Sequence, residues 1–289
     1  MVTFGTAGVR GSVVETVTPA VALSVGGAVG HLAVGESPAD HPEIAIGRDG
    51  RLTGPALAAA VEAGVAAAGA IPIRVGTVPT PTLAFASRDR YGMMLTASHN
   101  PPADNGIKCF VDGQEFDDDR EKRIESLVAD NVATTPTDFA GWRSPQHREP
   151  LAGYRTAVAD YAREQLGTDD AADRCEGLRV AVDCGNGMAA LATPQVLDSL
   201  GATVVALNAN VDGRFPGRPS KPTPDTLSDF RAFMTDGAFD LGIAHDGDAD
   251  RIVLLDGDGG IVHEDTIVAM LAGYYTHRSS TEHGVSDPV

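Results

Sequence analysis

The sequence predicts an α/β fold, with tandem three-layer α/β/α domains built on mixed, mostly parallel sheets. Three observations carry that reading. From Thr18 onward helix-like and strand-like segments alternate, an order that puts helices on both faces of a largely parallel sheet. Hydrophobic residues make up 43% of the chain, with abundant Gly and Ala and only 5% aromatics, which suits helices packed closely on sheets. A length of 289 residues exceeds one ordinary core and fits two domains with part of a third.

The elements follow in order. Thr18 and Pro19 supply a cap and a first-turn proline for a helix through AVALSVGGAVGHLAV. EIAIG (Glu43 to Gly47) is a short buried strand, GPALAAAVEAGVAAAGA a helix and IPIRVG a strand; Thr80-Pro81 starts the next helix, and YGMMLTA is another strand. DNGIKCFVDG reads as a turn plus an edge-like strand, with Asn105-Gly106 reversing the chain, and an acidic amphipathic helix follows from about Asp117 to Asn131. Residues 133–153 lack sustained periodicity and are rich in turn formers, so the first domain is expected over 1–149. The second, expected over 150–255, opens with a helix from about Tyr154 to Gln165. It continues with strand LRVAVD, helix GMAALATPQVLDSLG, strand ATVVALN, a helix through TPDTLSDFRAFMTDG capped by Thr223, and strand FDLGIAHD. Residues 256–289 read as the start of an incomplete third domain, with DGDGG (Asp256 to Gly260) as a hairpin turn.

Forty acidic residues against 22 basic ones give a formal charge of -18, which opposes binding to nucleic acid or to an anionic membrane surface. An anionic substrate must therefore meet locally placed cations or a metal. Lysine occurs only at Lys108, Lys122 and Lys221. Cys109, Cys175 and Cys184 are odd in number and lack C-x-x-C spacing, which argues against a disulfide framework or a zinc site and for a reduced cytoplasm. No signal-peptide pattern or membrane-length apolar run is present, so a soluble, unprocessed cytoplasmic protein is expected. Oligomeric state is not readable.

Two loops carry the chemistry. In YGMMLTASHNPPADNGIKCF, Ser98-His99-Asn100 follows the C-terminal end of a buried strand, where open α/β sheets form ligand sites. Two prolines stiffen that loop, and Lys108 returns on a neighbouring strand. The commoner reading of such an S-H-N is a turn whose side chains bond the local backbone, and adjacency alone does not make Ser98 and His99 a dyad. In HDGDADR, Asp246, Asp248 and Asp250 alternate after another strand, so three carboxylates can converge on a hard cation. An EF-hand is excluded, because the sixth position is Arg251 and the twelfth Gly257. An acidic surface loop is the bland alternative. Few, oxygen-only ligands suit Mg²⁺ with phosphate completing its shell.

GTAGVRG (Gly5 to Gly11), TASHNP (Thr96 to Pro101), NGIK (Asn105 to Lys108) and DGDADR (Asp246 to Arg251) together resemble the α-D-phosphohexomutases, the family of phosphoglucomutases, phosphomannomutases and phosphoglucosamine mutases. The resemblance implies that Ser98 carries a phosphate, donates it to a hexose phosphate, and recovers the other phosphate from a bisphosphorylated intermediate. It implies Mg²⁺ held by Asp246, Asp248 and Asp250 together with phosphorylated Ser98. Lys108, with Arg10 and His99 near it, would handle the sugar-hydroxyl proton or stabilise charge there. A basic role needs a lowered pKa, which a crowd of cations makes possible. Arg251 would contact phosphate, as would Arg10 and Lys108; a salt bridge to one of the aspartates is the alternative for Arg251. GRFPGRPSKPTPDTL (Gly213 to Leu227) resembles a loop of the family's second domain.

Members of that family have four domains. The Gly-Glu-x-Ser-Gly sugar loop of the third and the Arg-x-Ser-Gly-Thr phosphate loop of the fourth are not found here. The expectation is an enzyme interconverting hexose 1- and 6-phosphates of mannose or glucose. The rivals are phosphoglucosamine as substrate, a non-catalytic remnant or phosphosugar- and metal-binding module, and a phosphatase using the same serine.

Overall fold

In the computed structural model, which describes residues 3–5, 8–166 and 175–282, the alternating segments assemble two separate mixed sheets. The first contains β1 (Val9–Ser12), β2 (Glu43–Arg48), β3 (Ile71–Thr77), β4 (Tyr91–Leu95), β5 (Asp104–Val111), β6 (Gln114–Glu115) and β7 (Gln146–His147). Their order is β1-β5-β4-β2-β3-β7, with β6 on β5. β4, β2, β3 and β7 run parallel, while β1, β5 and β6 pair antiparallel. Side chains alternate between the faces, as the two-residue period of a strand requires. Ile44, Ile46, Met93, Leu95 and Ile107 share one core, and Ala45, Ile73, Val75, Met94 and Phe110 the other.

Helices α1 (Pro19–Glu36) and α2 (Gly54–Ala67) cover the first of these faces, α3 (Thr80–Ala86) the second, and α4 (Asp118–Ala129) returns to the first through Ile124. Thr18 caps α1 by accepting from the Val21 amide at 3.3 Å, and Asp117 caps α4 by accepting from Arg120 at 2.9 Å. α1 and α2 approach closely because Gly26 leaves room for backbone. A Cβ there would lie 2.9 Å from the Val61 Cα. Gly26→Val is accordingly expected to cost about 2–3 kcal/mol by overpacking, measurable as a lowered urea midpoint; an unchanged midpoint would refute the close packing.

The second sheet has β8 (Arg179–Asp183), β9 (Thr203–Leu207), β10 (Leu241–His245), β11 (Ile252–Asp256) and β12 (Ile261–Val262), ordered β12-β11-β10-β8-β9. β8, β9 and β10 are parallel, and β11 and β12 are antiparallel at one edge. The helices outside the first sheet's cover are α5 (Leu151–Leu166), α6 (Thr193–Ser199), α7 (Ser228–Gly237) and α8 (Glu264–Glu282). Asp256 accepts from the Asp258 and Gly260 amides at 3.0 and 2.7 Å, so DGDGG is the expected hairpin turn. None of the described helices is long and apolar enough to cross a membrane.

Several local expectations are corrected. The end of GTAGVRG forms β1 against β5; Thr6 and Ala7 lie outside the described residues, as do residues 283–289. Residues 133–153 carry structure: β7 joins the first sheet beside β3, and α5 begins at Leu151. Two-residue strands leave no periodicity to read, and the Arg148–Glu43 ion pair at 2.6 Å helps fix this one. Asn105-Gly106 lies inside β5, and the reversal occurs in residues 98–103, where the Asp104 amide donates to the Pro101 carbonyl at 3.1 Å. The helix expected through residues 187–201 is split into a 3₁₀ turn (Met188–Leu191) and α6, with Ala192 non-helical between them. Thr223 closes a turn with Thr226 and does not cap α7, which starts only at Ser228; its hydroxyl offers the backbone a local alternative to helix.

Candidate active site

The buried strand β4 delivers Thr96, Ala97 and Ser98 at its C-terminal end, and Ser98 turns into the left-handed region at φ 48°. Ser98 is fully buried. Its hydroxyl donates to Asp246 Oδ2 at 2.5 Å, across the junction between the two sheets' loops. His99 Nδ1 stands 3.4 Å from the same hydroxyl, too far for a strong hydrogen bond. The serine therefore answers to the aspartate loop and not to its neighbouring histidine.

β10 delivers that loop. His245 closes it on itself: Nδ1 lies 3.0 Å from the Arg251 carbonyl and Nε2 3.1 Å from Thr193 Oγ1. Burial pushes the His245 imidazole down to about 4, so it is neutral and serves as a brace. Asp246, Asp248 and Asp250 each offer a carboxylate oxygen within 4.8 Å of the others. Burial, with the charges of Asp248 and Asp250, pushes Asp246 up to about 7. Asp248 is fully buried; its Oδ2 accepts from the Thr80 hydroxyl at 2.7 Å, while its Oδ1 has no hydrogen-bond partner. Three converging hard oxygens with a buried, unpartnered one among them fit a divalent cation.

Lys108 comes from β5, opposite Met94 of β4. Its ammonium is buried, 2.5 Å from Asp250, 3.2 Å from Glu115 and 3.6 Å from Asp248. Burial acts to lower its pKa, but Asp248, Asp250 and Glu115 together carry it above the ordinary lysine value. Its closest charged neighbours are carboxylates, not the crowd of cations that would lower it. The cations gather instead around His99. Burial first, then the charges of Arg251, Arg10 and Lys221, lower the His99 pKa and keep its ring neutral.

Ser98, His99, Lys108, Asp246, Asp248 and Asp250 thus meet in one place, with Arg10 and Arg251 at its margin. Arg251 donates its backbone amide to Asp246 Oδ1 at 3.3 Å, its side chain is exposed, and no ion pair to an aspartate occurs for it among the described residues. Sequence reasoning passed over Thr80, read only as a helix start, and the pair Asp49–Arg51, whose side chains are both fully buried. A signal for the pair was present in GRDGR: two charged types at the end of an apolar strand.

Two family models match the chain. Residues 1–134 match the family described as phosphoglucomutase/phosphomannomutase, alpha/beta/alpha domain I, and residues 154–259 its alpha/beta/alpha domain II. A phosphoglucosamine mutase of Salinispora arenicola is 39% identical over 274 residues, covering 93% of this chain and 59% of that protein. A phosphopentomutase of Thermococcus kodakarensis is 36% identical over 285 residues, covering 97% and 58%. A crystal structure of a phosphoglucomutase/phosphomannomutase family protein from Burkholderia thailandensis superimposes with a TM-score of 0.79 at 30% identity, covering 96% of this chain and 59% of that one. The chain therefore spans less than two thirds of the length of the curated relatives it matches. With both family domains matched in order across most of its residues, the chain belongs to the phosphoglucomutase/phosphomannomutase family.

Proposed function

We propose that this chain supplies the phosphoryl-transfer half of a Mg²⁺-dependent phosphosugar mutase that interconverts hexose 1- and 6-phosphates of mannose or glucose. One observation carries the reading: the Ser98 hydroxyl lies 2.5 Å from Asp246, within an acidic triad whose oxygens converge within 4.8 Å. Asp246, Asp248 and Asp250 would hold the cation, with an oxygen of phosphorylated Ser98 beside them. When bound, Mg²⁺ supplies positive charge where negative charge builds on the serine oxygen during transfer.

The chain's own residues do the rest. Transfer breaks the bond from phosphorus to Ser98 Oγ and forms one to a sugar hydroxyl oxygen, and the hydroxyl proton must leave. His99, whose pKa is lowered by burial and nearby cations, is poised to accept such a proton, and the Lys108 ammonium, beside Asp250 and Glu115, would stabilise charge there. Arg10, Arg251 and Lys108 are proposed to bind the phosphate oxygens. In the return step the intermediate's second phosphate passes to Ser98 and restores the starting enzyme.

We assign residues 1–149, bearing the serine, to one unit and the metal loop to a second that starts at 150; because β12 pairs with β11, this second unit runs past the expected boundary at 255 to at least Val262, and the lead into a third would begin only after it. The names of two relatives point to aminosugar and pentose phosphates as rival substrates. A test is intact-mass analysis after incubation with Mg²⁺ and glucose 1,6-bisphosphate. Wild type should gain one phosphate and Ser98→Ala none. An equal mass gain in the two would reject Ser98 as carrier, and the same assay with mannose, glucosamine and pentose bisphosphates ranks the substrates.

A further inference from the structure

Arg51 is fully buried, and each of its five guanidinium N–H groups has an acceptor. Nε donates to Asp49 Oδ2 at 3.0 Å. Nη1 donates to the carbonyls of Pro101 at 2.5 Å and Asp104 at 2.9 Å, and Nη2 to those of Ser98 at 2.9 Å and Asn100 at 2.8 Å. Four carbonyls of the serine loop therefore converge on one side chain. Asp49 balances the charge and also accepts from the Thr96 hydroxyl at 2.8 Å, which in turn accepts from the Ser98 amide at 2.9 Å. Ser98 is thus gripped at both its amide and its carbonyl, and both grips end on the Asp49–Arg51 pair.

The facing unit completes the grip. The Arg51 guanidinium carbon lies 5.1 Å from the centre of the Phe215 ring, and Ser220 Oγ donates to the Asn100 carbonyl at 3.0 Å. On the same 213–220 loop, Arg218 pairs with Asp183 at 2.5 Å and donates to the His245 carbonyl at 2.7 Å, one residue before Asp246. One loop therefore touches the supports of both the serine and the aspartates.

We propose that Arg51 is a positioning residue for phosphoryl transfer, holding Ser98 in its left-handed pose against Asp246 with Phe215 and Ser220 of the facing loop as its counterparts. The role rests on the reading of Ser98 as the phosphoryl carrier. Lysine cannot replace it, because an ammonium has three donors at one point and lacks the planar fork that spans four carbonyls.

The experiment combines two readouts on the full chain for wild type, Arg51→Lys and Ser220→Ala. Amide hydrogen exchange of segment 98–104 should be about tenfold faster in Arg51→Lys, with α1 and α2 unchanged. Phosphate uptake at Ser98 from glucose 1,6-bisphosphate and Mg²⁺ should fall about 100-fold, the size expected when a reacting group is misplaced. Ser220→Ala should move both in the same direction by roughly threefold, the loss of a single hydrogen bond. Exchange that is unchanged in 98–104, or faster throughout the chain, overturns the proposal. Should wild type take up no phosphate, Ser98 is not the carrier, while the exchange pattern still decides whether Arg51 holds the loop. Should Arg51→Lys fail to fold, Ser220→Ala decides by the same local criterion.

Discussion

Asparagine in place of Asp248 is expected to weaken divalent-cation binding by about 100-fold or more and to lower phosphate uptake at Ser98 by about 10³. The substitution keeps the shape and one carbonyl-type oxygen, so the Thr80 hydroxyl retains its acceptor at the position now 2.7 Å away. What disappears is a negative charge on a fully buried carboxylate whose Oδ1 has no other partner. Stability in the presence of a chelator should therefore stay within about 1 kcal/mol of wild type. Added Mg²⁺ separates the two proteins. A ligand at 100 times its dissociation constant stabilises the folded state by about 2.7 kcal/mol, so wild type should gain several degrees in Tm and the variant almost nothing. Titration calorimetry and thermal melts with and without Mg²⁺ measure both. An Asp248→Asn protein that melts with the same Mg²⁺ increment as wild type would remove the aspartates from any metal role.

Lys108→Met should act through the same cluster with a different signature. The ammonium is 3% exposed and sits among Asp250, Glu115 and Asp248 at 2.5, 3.2 and 3.6 Å. Methionine keeps the apolar stem and removes the charge, leaving the buried Asp248, the half-buried Asp250 and the exposed Glu115 without it. Breaking a buried ion pair from one side costs about 3–5 kcal/mol, and the partial exposure of Glu115 and Asp250 places this case at about 3. Urea unfolding in chelator measures it. Divalent cation should recover part of the loss, since the carboxylates regain a counter-charge, and a loss of packing would show no such recovery. Phosphate uptake should fall by about 10²–10³ even in saturating cation, because the charge beside the acceptor hydroxyl is gone. Stability within about 1 kcal/mol of wild type in chelator would mean that the cluster tolerates its own repulsion, contrary to the short distances.

Much of the architecture was legible from local pattern. The strands β2, β3, β4, β8, β9 and β10 are short apolar runs bounded by turn residues, and the caps Thr18 and Asp117 fall where helices begin. Misreadings cluster where local and tertiary preferences compete. Asn105-Gly106 has the composition of a hairpin turn, yet pairing with β1 and the Thr96 amide on the Gly106 carbonyl hold it extended inside β5. β7 is two residues long, and its place depends on β3 alongside it.

For the site, residue types and spacing along the chain singled out Ser98, His99 and the three aspartates as candidates, each at or beside a strand end, and the family resemblance added Lys108, which lies inside β5. Sequence could not supply which of them touch. Ser98 and Asp246 are 148 positions apart and meet only because two sheets present their loops toward each other. The same approach sets the Lys108 charge environment, where carboxylates lie closer than any cation. Thr80, Asp49 and Arg51 acquire meaning only through partners distant in the chain. Local periodicity and capping act over a few residues and so can be read directly from the chain. Burial, charge and hydrogen bonding at this site depend on separations through space, and those the tertiary structure alone decided.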